Sequence, residues 1–159
     1  MKKLKLCLDT SVISMIDDSD RGIITQSFFH FVTKNKQNYE LVVSPVAIDE
    51  IEDATPKKKD RIMAFLESLT CIKLPISQEA HDLAWNYVFE NILTEKHFED
   101  LLHVAYATVF NCDIFLSWNR KHLAKLSTIQ KVNLFNVANN YSAIIIATPQ
   151  DFLNQKDKK

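Results

Sequence analysis

The sequence predicts an α/β protein with a mainly parallel sheet covered by helices on both faces. Three observations carry this. Short apolar runs alternate with segments of helical periodicity, and the runs are apolar throughout instead of at every second residue. Several of them also end in polar residues suited to opening a helix or turn. With 159 residues, 47% of them hydrophobic, the chain is long enough for one well-packed core. Residues 1–155 read as a single domain and 156–159 as a charged tail.

Leu4, Leu6 and Leu8 form a first strand that stops at Asp9-Thr10-Ser11, a turn and helix cap, so Asp9 stands at the strand's carboxyl tip. After a polar break at Asp17 to Asp20, the apolar residues Ile23, Ile24, Phe28, Phe31 and Val32 predict a helix running up to a loop at Lys34 to Asn38. Leu41 to Val43 is a second strand, and Ser44-Pro45 caps and starts the helix that carries Asp49, Glu50, Glu52 and Asp53. Pro56 opens another helix to Leu69, because proline tolerates a first helical turn. Further on, Cys71 to Ile76 reads as a strand and Gln78 to Leu93 as a long helix. From about Glu95 a helix lines up Leu101, Val104, Ala105 and Thr108, with Asp100 and His103 beside that stripe. Asp113 to Leu116 is a strand, followed by Ser117-Trp118-Asn119 and a helix from about Arg120 to Leu126. The segment around Val132, Leu134 and Phe135 fits strand or helix. Ala143 to Thr148 is a last strand, and Pro149 starts a final turn.

Composition excludes several chemistries. A single glycine, Gly22, removes GxGxxG, the Walker A loop and the GxSxG elbow, each of which needs at least two. With 19 Lys and Arg against 20 Asp and Glu, any contact with nucleic acid must come from a local patch. Cys7, Cys71 and Cys112 are odd in number and form no CxxC, which reads as buried thiols in a reducing cytoplasm. No apolar stretch approaches the roughly 20 residues needed to cross a bilayer, and no HExxH or Cys/His pair suggests zinc.

In parallel sheets the site lies beyond the carboxyl ends of the strands. There stand Asp9, Glu50 on the helix after the second strand, and Ser117 with Asn119 after the fourth; Asp100 comes from the helix before that strand. What converges is oxygen, mostly anionic. Carboxylates forced together repel, and a divalent cation removes the conflict; hard oxygens suit Mg2+, or Mn2+, and hydrolysis of a phosphodiester. Each acid also has a plainer reading: Asp9 as a helix cap, Glu50 as a solvated helix residue, Asp100 as a complement to a helix dipole.

The stretches LCLDTSV (Leu6 to Val12), SPVAIDEI (Ser44 to Ile51), FEDLLHVAYA (Phe98 to Ala107), FLSWNRKHL (Phe115 to Leu123) and IATPQDFL (Ile146 to Leu153) tie these residues together. In order and spacing they resemble the PIN-domain ribonucleases, particularly VapC-type toxins of toxin-antitoxin pairs. The resemblance implies a three-layer α/β/α sandwich and a metal-dependent endoribonuclease using Mg2+ or Mn2+. It assigns Asp9, Glu50 and Asp100 as metal ligands and catalytic acids. At the fourth place Ser117 matches a small hydroxyl residue, while Asn119 stands where the family often has aspartate, so a strongly held second metal is not expected. Both would orient water or substrate. The expected partners are an RNA substrate, a cognate antitoxin and a second copy in a homodimer, in the cytoplasm, with no membrane.

Around this centre, His103 reads as a packing or supporting residue rather than a base, and His122 as a residue near the rim. Trp118 is open to either a base-stacking or a buried role. Lys57 to Lys59 and Arg61 read as a solvated face or, with Lys34, Lys36, Arg120 and Lys121, as phosphate contacts. The rival functions are a housekeeping RNase of the same fold and a catalytically silent RNA- or protein-binding module. A haloacid-dehalogenase-like phosphatase would need a second aspartate where Ser11 stands.

Overall fold

The computed structural model describes residues 2–17 and 19–157. Asp18 of the polar break and Lys158 and Lys159 of the tail lie outside them. Five strands form one all-parallel sheet in the order β3-β2-β1-β4-β5: β1 (Leu4–Leu8), β2 (Tyr39–Val43), β3 (Ile72–Lys73), β4 (Ile114–Leu116) and β5 (Ile145–Ala147). The order turns back between β1 and β4, which pair through Leu6↔Ile114 and Leu8↔Leu116. Beyond their carboxyl ends lies the crevice such a switch creates.

Alternate residues of each central strand feed two cores, which is why the runs are apolar throughout. Leu6, Leu8, Leu41, Val43 and Leu116 pack against Phe28, Phe29, Ile51 and Ile62 on one face. Cys7, Val42, Phe115 and Ile146 pack against Leu83, Tyr87, Val104 and Leu123 on the other. Leu6 and Leu8 are fully buried, each contributing roughly 1.5–3 kcal/mol. Cys7 and Cys112 are buried and Cys71 is only half-buried; all three are free thiols.

The helices follow their caps. Helix α1 (Thr10–Ile13) begins directly after Asp9. Ser19 accepts from the Gly22 amide to start α2 (Asp20–Lys34), and a Cβ at Gly22 would collide with the backbone of Asp17. Ser44 caps α3 (Pro45–Glu52), which α4 (Pro56–Ser68) follows. Ser77 caps α5 (Gln78–Phe89), which stops short of the expected Leu93 because Asn91 takes a left-handed turn. A 3-10 turn (Glu95–His97) leads into α6 (Phe98–Val109). Helices α7 (Leu126–Ala138) and α8 (Pro149–Asp157) complete the layers. Among the described residues no helix is long and apolar enough to cross a membrane.

Three expectations change and one open reading is settled. The helix expected over Arg120 to Leu126 is a series of turns, because the Asn119 carbonyl accepts the Ala124 amide and its side chain accepts the His122 amide. The ambiguous segment after it is helical: α7 turns Thr128, Val132 and Asn136 inward and leaves Leu126, Leu134 and Val137 exposed, the reverse of a readable apolar stripe. The expected strand at Cys71 to Ile76 shrinks to two exposed edge residues. Pro149 opens a helix rather than a turn, and Lys156 lies within it, over the rings of Tyr39 and Phe152.

Asn136 is tolerated in the core because it is satisfied there. Tyr87 Oη donates to Asn136 Oδ1 at 2.6 Å, and Asn136 Nδ2 donates to Thr108 Oγ1 at 3.3 Å, joining α5, α6 and α7. Tyr87→Phe leaves a buried acceptor unpaired, and urea denaturation should show a loss of about 1–3 kcal/mol at constant m-value. A loss under about 0.5 kcal/mol would show that this network does not hold α7 in place.

Candidate functional site

The site is built outward from Asp9, which the end of β1 delivers almost buried, 7% exposed. Asp9 occupies the cap position of α1, yet its carboxylate makes no cap hydrogen bond. Two hydroxyls donate to the same oxygen, Oδ2: Ser117 Oγ at 2.7 Å from the end of β4, and Ser11 Oγ at 2.7 Å. Each serine is itself fixed by a backbone amide, Ser11 Oγ by Trp118 N–H and Ser117 Oγ by Asn119 N–H, both at 3.0 Å. The β1 and β4 tips are therefore laced together through this carboxylate.

Its other oxygen, Oδ1, faces His103, whose Nε2 is 3.4 Å away. His103 comes from α6, is 2% exposed, and meets Glu50 Oε1 from α3 at 2.6 Å. Burial opposes a charge on this imidazole. The hydrogen bond to Glu50 and the charges of Asp9, Glu50 and Asp100 outweigh it, so the pKa of His103 is raised above its ordinary value. Its Nδ1 is buried with no hydrogen-bond partner among the described residues.

Asp100 lies one turn before His103 on α6, in the first turn of that helix, where the dipole also favours it. Its pKa is raised, first by burial and then by Asp9, against the lowering pull of His103, His97 and His122. Asn119 Nδ2 donates to Asp100 Oδ2 at 3.4 Å, while Asn119 Oδ1 accepts from the His122 amide at 2.9 Å. The amide thus links Asp100 to the turn after β4. His97 Nδ1 approaches Asp100 Oδ2 at 3.6 Å, and its ring lies 4.0 Å from that of His122.

Asp9, Glu50, Asp100, Ser117 and Asn119 therefore converge at the switch point. The plainer readings of Asp9 and Glu50 give way: Asp9 does not use its carboxylate as a cap, and Glu50 is bonded to a buried imidazole. Asp49, Glu52 and Asp53 are exposed, with Glu52 paired to Lys59. His103, expected to pack or support, does so by direct contact with two of the acids. Trp118 is buried, its Nε1 donating to Thr25 Oγ1 at 2.8 Å beneath the Arg21 guanidinium, so it offers no face to a base. Arg120 is tied to Thr148 Oγ1 at 3.2 Å. Lys34 and Lys36 lie before β2, at the amino end of the sheet and away from the site. Sequence reasoning missed Ser11 as a partner of Asp9 and His97 as a partner of Asp100; their spacings, two and three residues from the acids, were the available signal.

The donor chemistry fits a hard divalent ion, since three carboxylates, an amide and a hydroxyl offer oxygen. As arranged, no group of three or more His, Cys, Asp or Glu among the described residues is gathered to hold one. His103 sits where the countercharge is needed. Of the three acids, Glu50 and Asp100 have the more accessible side chains, 37% and 33% exposed against 10% for Asp9.

No protein-family model matches the chain, and no curated protein matches it. Among solved structures, a chain from the crystal structure of VapBC2 from Rickettsia felis, bound to a DNA fragment from their promoter, superposes with a TM-score of 0.59 at 11% identity. The match covers 91% of this chain and 98% of that one. At that identity the likeness is one of fold: the chain has the PIN-like α/β/α architecture that its motifs resemble.

Proposed function

We propose that this chain is a divalent-metal-dependent endoribonuclease and the toxin of a toxin-antitoxin pair. The observation that carries the reading is that His103 on α6 contacts both Asp9 of β1 and Glu50 of α3, while Asp100, one turn before it, feels the charge of Asp9 at the switch point of a PIN-like sheet. Asp9, Asp100 and Glu50 would hold Mg2+ or Mn2+, and the chemistry the ion supplies when bound is Lewis acidity toward a phosphoryl oxygen and an attacking water. The protein's own part is positioning. Ser11 and Ser117 occupy Asp9 Oδ2 and so fix where Oδ1 points. Asn119 steadies Asp100 without adding a charge. Ser117 is fully buried and spends its hydroxyl on Asp9 and the Asn119 amide, so it orients Asp9 rather than the expected water or substrate. No nucleophilic side chain with an adjacent base enters this reading, so cleavage leaves no covalent intermediate on the enzyme. The toxin role brings a cognate antitoxin, a homodimer and a cytoplasmic setting as parts of the same proposal; the fold likeness to a chain of VapBC2 supports the antitoxin.

One observation favours a second reading, a catalytically silent binding module: His103 already answers the charge of Asp9 and Glu50. Cleavage separates the two. With mixed single-stranded RNA and millimolar Mg2+ or Mn2+, the wild type should cut, while chelator, Asp9→Asn, Glu50→Gln or Asp100→Asn should return the rate to that of buffer. Full activity in Asp9→Asn would sink the proposed ligand set.

Thermal unfolding adds a readout free of substrate. At ten times its Kd, Mg2+ should stabilise the wild type by about 1.4 kcal/mol and leave Asp9→Asn unmoved. In chelator, His103→Ala should cost about 3 kcal/mol, because it strands Asp9 and Glu50 together. Added Mg2+ should then restore more stability than it gives the wild type. Equal Mg2+ shifts in all three proteins would show that the ion binds elsewhere.

A further inference from the structure

Beside the carboxylates lies a second cluster that the proposed chemistry leaves unused. His97 ends the 3-10 turn before α6 and His122 sits in the turns after β4; the two rings lie 4.0 Å apart at 39°, next to Asp100. Both are held in place from outside the pair. Phe98, the residue after His97, stacks on Trp85 at 4.3 Å and 28°, pinning the start of α6. Asn119 Oδ1 accepts the His122 amide at 2.9 Å, pinning the opposite side. Lys96 and Lys121, each adjacent in sequence to one of these histidines, are exposed and form no ion pair with another described residue. The pKa of His122 is lowered, first by burial and then by His97, with Asp100 opposing and Lys121 and Lys96 adding smaller effects in the same direction.

We propose that Lys96, His97, Lys121 and His122 form a strand-binding rim that holds a backbone phosphate of single-stranded RNA next to the one at the carboxylates. An acidic centre repels a polyanion, and this chain has no global positive field to overcome that, with 19 basic residues against 20 acidic. Unpaired cations at the edge of the crevice supply the local attraction. The imidazoles need no charge for this, since a neutral ring still offers one N–H donor to a phosphate oxygen. These four are positioning residues. The inference rests on the ribonuclease reading and adds where the substrate's neighbouring phosphate goes.

The test uses a fluorescein-labelled single-stranded RNA of mixed sequence, with binding read by anisotropy on Asp9→Asn and on wild type in chelator, and cleavage read on the active protein. Lys96→Ala/Lys121→Ala should lower the slope of log affinity against log salt by about 0.7 per lysine. His97→Ala/His122→Ala should weaken binding about tenfold, about 1.4 kcal/mol, with the salt slope nearly unchanged. Lys131→Ala, on the exposed side of α7, should change neither. Melting temperatures confirm that each variant is folded. If wild type cuts RNA while both double variants keep its affinity and salt slope, the rim is refuted and the ribonuclease reading stands. If wild type neither binds nor cuts, the ribonuclease reading fails and takes the rim with it.

Discussion

A carboxylate that is nearly buried needs partners, and at Asp9 that need organises the crevice. Its Oδ2 takes hydroxyls from Ser11 and Ser117, and its Oδ1 faces His103. Because Ser117 belongs to the end of β4, the same bonds that satisfy the charge also lock the switch point of the sheet. An unpaired charge at this depth would cost several kcal/mol, so the site and the stability of the sheet's centre are one problem. His103 extends the solution to Glu50 on α3, and helix positions follow from it.

The sheet was legible because burial on both faces leaves a simple trace: beyond Lys5 and Glu40, the carboxyl halves of β1 and β2, like β4, are apolar on both faces. Legibility failed where one polar residue did the work of an apolar one. Helix α7 presents Thr128 and Asn136 inward, and the hydroxyls of Tyr87 and Thr108, both distant in sequence, make Asn136 acceptable there. No local window contains these residues together. The turns after Asn119 failed for a related reason: the residues there have adequate helical propensity, but one asparagine captures the amides of His122 and Ala124 and commits the chain to turning.

For the candidate site, strand ends and helix spacing pointed to where acidic residues would stand, since topology alone selects the crevice. They could not say which of those acids is neutralised by what. His103 follows Asp100 by three residues and so shares its helix face, but that spacing suits a core histidine equally well. The distinction lies in a contact across 53 residues, to Glu50 on a different helix. Ser11 read as part of a turn because no local pattern shows that the Asp9 carboxylate takes the Ser11 hydroxyl in the first turn of α1 instead of capping a backbone amide.

Asn119 shows how the crevice balances its charge. A carboxylate there would face Asp100, whose pKa is already raised by burial and by Asp9. The amide instead donates to Asp100 with one end and accepts from the His122 backbone with the other, which no carboxylate does without a proton. One neutral residue therefore removes a repulsion and also anchors His122, whose ring lies against His97, the imidazole that approaches Asp100. The result is asymmetric: anionic oxygen lies toward β1 and α3, and nitrogen toward the 3-10 turn and the loop after β4. On the proposed ribonuclease reading, this split is what an extended polyanion with a divalent counterion would require, because each half would have a complementary charge to meet.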